Sequence, residues 1–238
     1  MCGRAYKTYT DEELYFQYLN KRPLIPFDFV PVYNLCPTQD TLVLRVVDGE
    51  RQFEDMRWQL VPEWEPAFST KLSTINAKAE TVFDSRLFAG LVCRQRCIVP
   101  LSGFYEWKHD GQVKRPFKIH LKNNAIMSIA GIWETWRPGT PDERRSFTIM
   151  TTAANRFMGE IHDRMPVILN SSSVADWLDP EIHDRKDLEQ ILQPCPDMWL
   201  KKAEVSQLVN SPNNDGPELL VPSTYASPEN PQRQLFED

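Results

Sequence analysis

Between residues 96 and 169 the chain carries a close succession of short strand candidates, and this run limits the fold more than any other feature. The candidates are Arg96–Pro100, Gly103–Lys108, Arg115–Leu121, Ala125–Trp133, Arg145–Thr152 and Met165–Leu169. Most of the connections are too short for the crossover that a parallel pair needs, so antiparallel pairing is expected. His109-Asp110-Gly111 and Lys122-Asn123-Asn124 supply turn chemistry between them. Upstream, Thr41–Val47 and Arg51–Trp58 flank Asp48-Gly49, the signature of a tight hairpin. Helical signals are brief. Thr10-Asp11-Glu12-Glu13 reads as a capping box that opens a helix to about Asn20, with Leu14, Tyr18 and Leu19 on one face and Pro23 and Pro26 beyond its end. Short helices are predicted at Ser85–Val92, around Ala153–Gly159, and at Val174–Leu178 and Arg185–Leu192, with a late strand at Trp199–Ser206. Residues 27–38 read as irregular, and 60–74 as a loop containing Pro62, Trp64 and Pro66. No βαβ alternation and no internal repeat are visible. The expected class is α+β: one domain over residues 1–222, with an antiparallel, barrel-like β core and short peripheral helices. Residues 223–238 read as an acidic, proline-rich, disordered tail.

Composition narrows the partners. The 238 residues carry a net charge of −6, but residues 210–238 hold five acids and one base, leaving a net of only −2 for the body. A local basic groove is compatible with that balance; bulk polyanion binding is not. Residues 1–20 contain no apolar run and include Asp11, Glu12 and Glu13, so secretion is not expected, and no stretch reaches the roughly 18 apolar residues of a membrane span. Five scattered cysteines, Cys2, Cys36, Cys93, Cys97 and Cys195, argue for reduced thiols. Cys93 and Cys97 lack zinc-site spacing, so no metal and no cofactor are expected. A monomer is the expected state.

Four segments carry candidate chemistry. In Met1-Cys2-Gly3-Arg4, removal of Met1 leaves Cys2 with a free α-amine and a thiol on adjacent carbons. Such a 1,2-aminothiol condenses with an aldehyde to an imine and then a thiazolidine. With ordinary values near ~8 for the amine and ~8.5 for the thiol, both groups are expected to have a reactive fraction at neutral pH. A frayed terminus with an incidental cysteine is the alternative. In Ile75-Asn76-Ala77-Lys78-Ala79-Glu80, the Asn76 amide can orient a polar ligand and Lys78 can meet a phosphate; taken alone, a helix cap with a solvated face is the plainer reading. In Gly103-Phe104-Tyr105-Glu106-Trp107, period two places Phe104, Glu106 and Lys108 on one face. Desolvation between aromatic residues raises a carboxyl pKa toward proton-shuttle range, while an ordinary exposed glutamate on an amphipathic strand fits equally. In Ile161-His162-Asp163-Arg164-Met165-Pro166, His162 sits in a helix-to-strand loop with Asp163 and Arg164 beside it.

Taken together and in this order, these segments resemble the SOS-response-associated peptidase (SRAP) family of abasic-site processing proteins, from about Cys2 to Pro222, with Gly216-Pro217-Glu218-Leu219-Leu220 similar to the family's C-terminal segment. The resemblance implies an α+β fold with a barrel-like core and a groove for single-stranded DNA containing an abasic site. It implies that Cys2 is the crosslinking nucleophile, that Asn76 orients the terminal amine or sugar, that Glu106 shuttles protons and that His162 is the acid/base for ring opening and reversal. Arg4, Lys78 and Arg164 would contact phosphates, and Trp64 would stack near the lesion. Location would follow from the DNA: cytoplasmic and nucleoid-associated in a bacterium, nuclear in a eukaryote. The sequence departs from the family pattern at Lys78 (usually arginine), at Gln59 within Trp58-Gln59-Leu60-Val61-Pro62 (usually glycine), at Glu65, and at Asn213 and Asn214 where a lysine is common. Three other readings compete. A class II glutamine amidotransferase also begins Met-Cys-Gly, but this chain lacks the glycine-rich and Asn-Gly motifs expected there. A peptidase acting on its own leader would have only Met1 to remove. The third is a non-covalent single-stranded-DNA binding module.

Overall fold

The computed structural model describes residues 2–21, 29–111 and 113–223. Pro23, Pro26 and the tail beyond Ser223 lie outside the described residues. In chain order the strands are β1 (Ala5–Lys7), β2 (Val32–Leu35), β3 (Asp40–Val47), β4 (Glu50–Trp58), β5 (Asn76–Lys78), β6 (Arg96–Leu101), β7 (Gly103–Asp110), β8 (Val113–Leu121), β9 (Met127–Trp136), β10 (Arg144–Ala153), β11 (Arg164–Pro166), β12 (Ile168–Leu169) and β13 (Leu200–Glu204). The α-helices are α1 (Asp11–Leu19), α2 (Ala89–Arg94), α3 (Arg156–Gly159), α4 (Ser171–Leu178) and α5 (Arg185–Ile191).

Five strands close a barrel in the order β10-β4-β3-β6-β9 and back to β10. Four of the pairings are antiparallel. The fifth, β4 with β10 (Ser146 opposite Arg57), is parallel, a departure from the all-antiparallel expectation. Closure leaves these strands no open edge along the shared ladder. A second, wholly antiparallel sheet runs β13-β8-β7-β1-β2. The α+β class, barrel-like core and short helices expected from the sequence are all present.

Period-two alternation divides the core. Val43, Cys97, Val99, Ile129 and Ile149 join Ala5, Phe104, Ile119 and Leu200 of the second sheet in one cluster. Their neighbours Leu44, Ile98, Ala130 and Met150 point the other way, against residues of α1, α2, α4 and α5. Arg96, 6% exposed, is stable there because its guanidinium donates to the carbonyls of Val92, Cys93, Trp177 and Asp179. A cation facing the carbonyl ends of α2 and α4 satisfies their orphan acceptors.

The differences from expectation are local and have physical causes. β1 and β2 form where the sequence reads as a terminus and an irregular stretch; each is too short to show a period, and each exists through pairing, Ala5 facing both Phe104 and Leu35. Asn76 begins a strand and not a helix, because β5 pairs in parallel with β10 (Asn76 opposite Ile149). The expected strand Met165–Leu169 is split at Val167, whose N–H donates to the Met150 carbonyl. α2 begins at Ala89, after Ser85 Oγ has accepted from the N–H groups of Leu87 and Phe88, and α3 begins after Asn155 caps Met158. α4 begins earlier than expected, at Ser171, because Asn170 Oδ1 accepts from Ser173 N at 2.8 Å.

Gln59 adopts φ +111°, a region that favours glycine. This is the position where the sequence departs from the glycine of the resembling family. The strain of a non-glycine residue here is on the order of 1–3 kcal/mol, partly offset by glycine's greater unfolded-state entropy. Gln59→Gly should therefore stabilise the protein by about 1 kcal/mol, read as a higher urea midpoint with an unchanged slope. A lower midpoint would show that the Gln59 side chain, whose Nε2 lies 3.4 Å from the Thr70 carbonyl, outweighs the strain.

Candidate active site

The N-terminus is built into the second sheet. Ala5 lies opposite Phe104 and Tyr6 opposite Gly103, and Tyr105 N donates to the Arg4 carbonyl at 2.9 Å. Continuing that register sets Glu106 across from Gly3, beside Cys2. Gly103 is obligatory at the start of β7: a Cβ there would fall 2.4 Å from both the Ile119 carbonyl and the Tyr6 hydroxyl. Cys2 is 1% exposed within the barrel-facing core cluster. From the other side β10 delivers β5, and Asn76 Nδ2 donates to the Cys2 carbonyl at 2.8 Å. Asn76 Oδ1 is buried and has no hydrogen-bond partner among the described residues. An orphaned acceptor beside Cys2 can receive an amine or a hydroxyl.

Burial, and then the Glu106 carboxylate, push the Cys2 thiol up to about 12. This corrects the expectation of a thiolate fraction at neutral pH: the thiol is neutral, and any attack by sulfur needs a base to take its proton. Glu106 is 5% exposed, and its Oε1 accepts from its own neighbour Trp107 N at 3.3 Å. The expected burial of Glu106 is therefore present, whereas the exposed-strand reading is not.

His162 follows α3, whose Met158 carbonyl accepts the His162 N–H. Its Nδ1 lies 3.0 Å from the Arg164 N–H and 2.9 Å from Asp163 Oδ1. A neutral ring accepts from the backbone; a protonated ring pairs with the carboxylate. Both forms therefore have a partner, which suits a group that gains and loses a proton. A cleft of about 370 Å³ is lined by Glu106, Trp107, His109, Lys114, His162 and Asn210. Glu106 and His162 thus face one cavity, with Cys2 beneath Glu106.

The four residues expected to touch DNA have diverse settings. Lys78 is exposed and, two positions after Asn76 on β5, shares its side of the strand. Trp64 is 65% exposed on its loop, free to stack. Arg164 is engaged in a two-pronged pair with Glu80 at 2.7 and 2.9 Å and donates to the Thr151 carbonyl at 2.8 Å. That pair holds the Glu80 carboxyl below its ordinary range, and it ties the His162 loop to the segment after β5. Arg4 Nη1 donates to Asn34 Oδ1 at 2.8 Å and to the Val209 carbonyl at 2.7 Å, with the guanidinium 5.9 Å from the Trp107 ring centre.

Sequence reasoning missed the clamp behind Arg4. Asn34, 2% exposed, donates from Nδ2 to the carbonyls of Ser211 and Asn214, and Asp215 Oδ1 accepts from the N–H groups of Tyr33 and Asn34. Trp107 Nε1 donates to Asn210 Oδ1 at 2.7 Å, which fixes a wall of the cleft. The one available signal was an asparagine between apolar residues in Val32-Tyr33-Asn34-Leu35.

The fold and the site define a protein built around a buried N-terminal cysteine flanked by an amide, a carboxylate and a histidine. Residues 1–212 match the family model described as SOS response associated peptidase (SRAP), and the chain belongs to that family. It is 35% identical over 222 residues to the abasic site processing protein YoqW of Bacillus subtilis, covering 92% of this chain and 99% of that one. It is 32% identical over 228 residues to the abasic site processing protein YedK of Escherichia coli, covering 93% and 100%. A crystal structure of a Bacteroides thetaiotaomicron protein shares the fold, with a TM-score of 0.75 and 22% identity over 92% of this chain.

Proposed function

We propose that this protein processes abasic sites in single-stranded DNA by capturing them covalently through Cys2 after Met1 is removed. The observation that carries this reading is Cys2 held between the Asn76 amide, with its orphaned oxygen, and the Glu106 carboxylate, under a cleft that His162 also lines.

The abasic sugar opens to an aldehyde with His162 as the proton donor and acceptor. Asn76 Oδ1 orients the Cys2 α-amine toward the carbonyl carbon. Addition of the amine and loss of one water give the imine, with Glu106 moving protons between nitrogen and oxygen. The thiol then adds across the C=N bond: sulfur bonds to carbon, and its proton passes by way of Glu106 to nitrogen. The product is a thiazolidine, one water lighter than the reactants. Holding the amine and thiol beside the aldehyde supplies the effective concentration that free cysteine lacks. Because the lesion has no base, recognition falls to phosphates, with Lys78 as a contact, and to stacking on exposed Trp64.

The test mixes purified protein with a single-stranded oligonucleotide bearing one abasic site and resolves the products on a denaturing gel. The expected result is a band that requires the lesion, with an intact mass equal to des-Met1 protein plus DNA minus one water. A protein lacking Met1 that gives no such band overturns the reading and returns weight to amide chemistry or passive binding.

A further inference from the structure

Residues 205–222 form a strap across the second sheet, on the face turned away from the core cluster that contains Cys2. A bridge between Val205 and Pro222 closes the strap, and Val205, Val209 and Leu219 pack on the buried rings of Tyr6 and Tyr105. Two fastenings hold its edges: Trp107 Nε1 donates to Asn210 Oδ1, and the Lys118 ammonium donates to the Leu220 carbonyl. A third is buried, at Asn34 of β2, which is 2% exposed. Asn34 Oδ1 accepts from Arg4 Nη1 at 2.8 Å, while Nδ2 donates to the carbonyls of Ser211 and Asn214 at 2.9 and 2.7 Å. The same Arg4 nitrogen donates to the Val209 carbonyl at 2.7 Å. An amide suits this joint because it offers an acceptor at one end and two donors at the other. A carboxylate there would keep Arg4 but present lone pairs to two carbonyls; an alkyl group would leave all of them unpartnered.

What the strap fixes on one side bears on Cys2 on the other, through the main chain of Arg4. The Arg4 carbonyl accepts from Tyr105 N at 2.9 Å, which registers this residue in the sheet. The Arg4 N–H hydrogen-bonds the Cys2 sulfur and favours its charged form, against burial and the Glu106 carboxylate. The Cys2 carbonyl is held separately, by Asn76 Nδ2 at 2.8 Å. Cys2 is thus gripped at two points. Asn76 holds the main chain beside the amine, and Arg4 meets the sulfur. Only the second grip runs through Asn34 to the strap.

We propose that Asn34 is a positioning residue for the ring-closing step: by tying the Arg4 side chain to the strap, it holds the Arg4 N–H against the Cys2 sulfur. The inference rests on the function proposed above for the cleft. In ring closure the sulfur–carbon bond forms, the π pair of the C=N bond moves to nitrogen, and the thiol proton reaches nitrogen by way of Glu106. Negative charge gathers on sulfur as its proton leaves, and a donor already fixed at that point stabilises it without reorganisation. Imine formation uses the amine and Asn76 and does not draw on this donor. The strap therefore acts on the second half of the reaction and leaves the first half alone.

The experiment compares Asn34→Asp and Asp215→Ala with the unaltered protein on an abasic strand of varied concentration, with and without borohydride. Asp215 is exposed, and its Oδ1 accepts from the N–H groups of Tyr33 and Asn34, so its loss loosens the clasp without stranding a buried charge. In Asn34→Asp the heat-stable adduct should form about 10–100-fold more slowly at saturating strand, the scale of a small misplacement of a reacting group. The half-saturating concentration should be unchanged, and borohydride should trap the imine at the unaltered rate. Asp215→Ala should show the same split to a smaller degree; if Asn34→Asp does not fold, an unaltered ratio of trapped to heat-stable adduct in Asp215→Ala overturns the proposal. Equal slowing with and without borohydride, or a raised half-saturating concentration, also overturns it, as does unaltered closure with a lowered urea midpoint, which leaves a clasp that serves stability alone. Failure of the unaltered protein to capture any lesion would sink the cleft reading instead. Amide exchange over residues 2–7 would then test the clasp: faster exchange in Asn34→Asp upholds its grip on this segment, and unchanged exchange overturns it.

Discussion

A Cys2→Ser protein, with Met1 removed, is expected to give no heat-stable adduct with an abasic strand. Its α-amine survives, so the imine still forms, but a serine hydroxyl is a far weaker nucleophile toward it than sulfur. Borohydride should therefore trap the variant on DNA, whereas without reductant the adduct is lost on heating. A heat-stable adduct of Cys2→Ser formed without reductant would rule out the thiazolidine. The thiol also has a signature in stability. Burial and Glu106 raise it from near 9 to about 12, so between those values the folded protein keeps a proton that the unfolded chain has released. Stability from this source is complete below pH 9 and falls as pH rises toward 12. Cys2→Ala should show a shallower loss of stability over that window.

Glu106→Gln is expected to slow covalent capture by about 10²–10⁴-fold, the range of a positioned proton shuttle. Shape and volume are nearly retained, so affinity for an undamaged strand should hold or tighten slightly as a negative charge leaves the cleft. A second readout moves in the opposite direction. Because the Glu106 carboxylate raises the Cys2 thiol, its neutralisation lowers that pKa, and Cys2 should alkylate faster in Glu106→Gln at a given pH. Slower capture with faster alkylation separates a proton-transfer role from general damage to the site. Capture that slows together with alkylation would assign Glu106 to structure alone.

Where the sequence carried a period or a cap, the fold was legible. The hairpin around Asp48-Gly49, the capping box at Thr10 and the succession from Arg96 to Thr152 all became elements within a few residues of their predicted bounds. What lacked a period was not legible: β1, β2 and β5 are each three or four residues long and owe their form to partners elsewhere in the chain. The same division runs through the site. Cys2, Asn76, Glu106 and His162 stood out as reactive types in unusual settings, and the structure brings Glu106 and His162 to one cleft and buries Cys2 against Asn76. Asn34 and Asn210 escaped notice because their importance lies in which carbonyl or indole they meet, and nothing local encodes that. Arg164 shows the converse: its type suited a phosphate, but Glu80 already occupies its fork.

The bond from Arg4 to Val209 spans 205 residues of sequence. At about 5–20 residues per second of synthesis, roughly 10–40 s pass between emergence of the first residues and completion of their anchor. Throughout that interval Gly3 and Arg4 have no finished sheet to join, and Cys2 stays open to solvent and reagents. Once the anchor closes, Cys2 is 1% exposed and that access ends. The order of translation thus leaves Cys2 open early and buries it last.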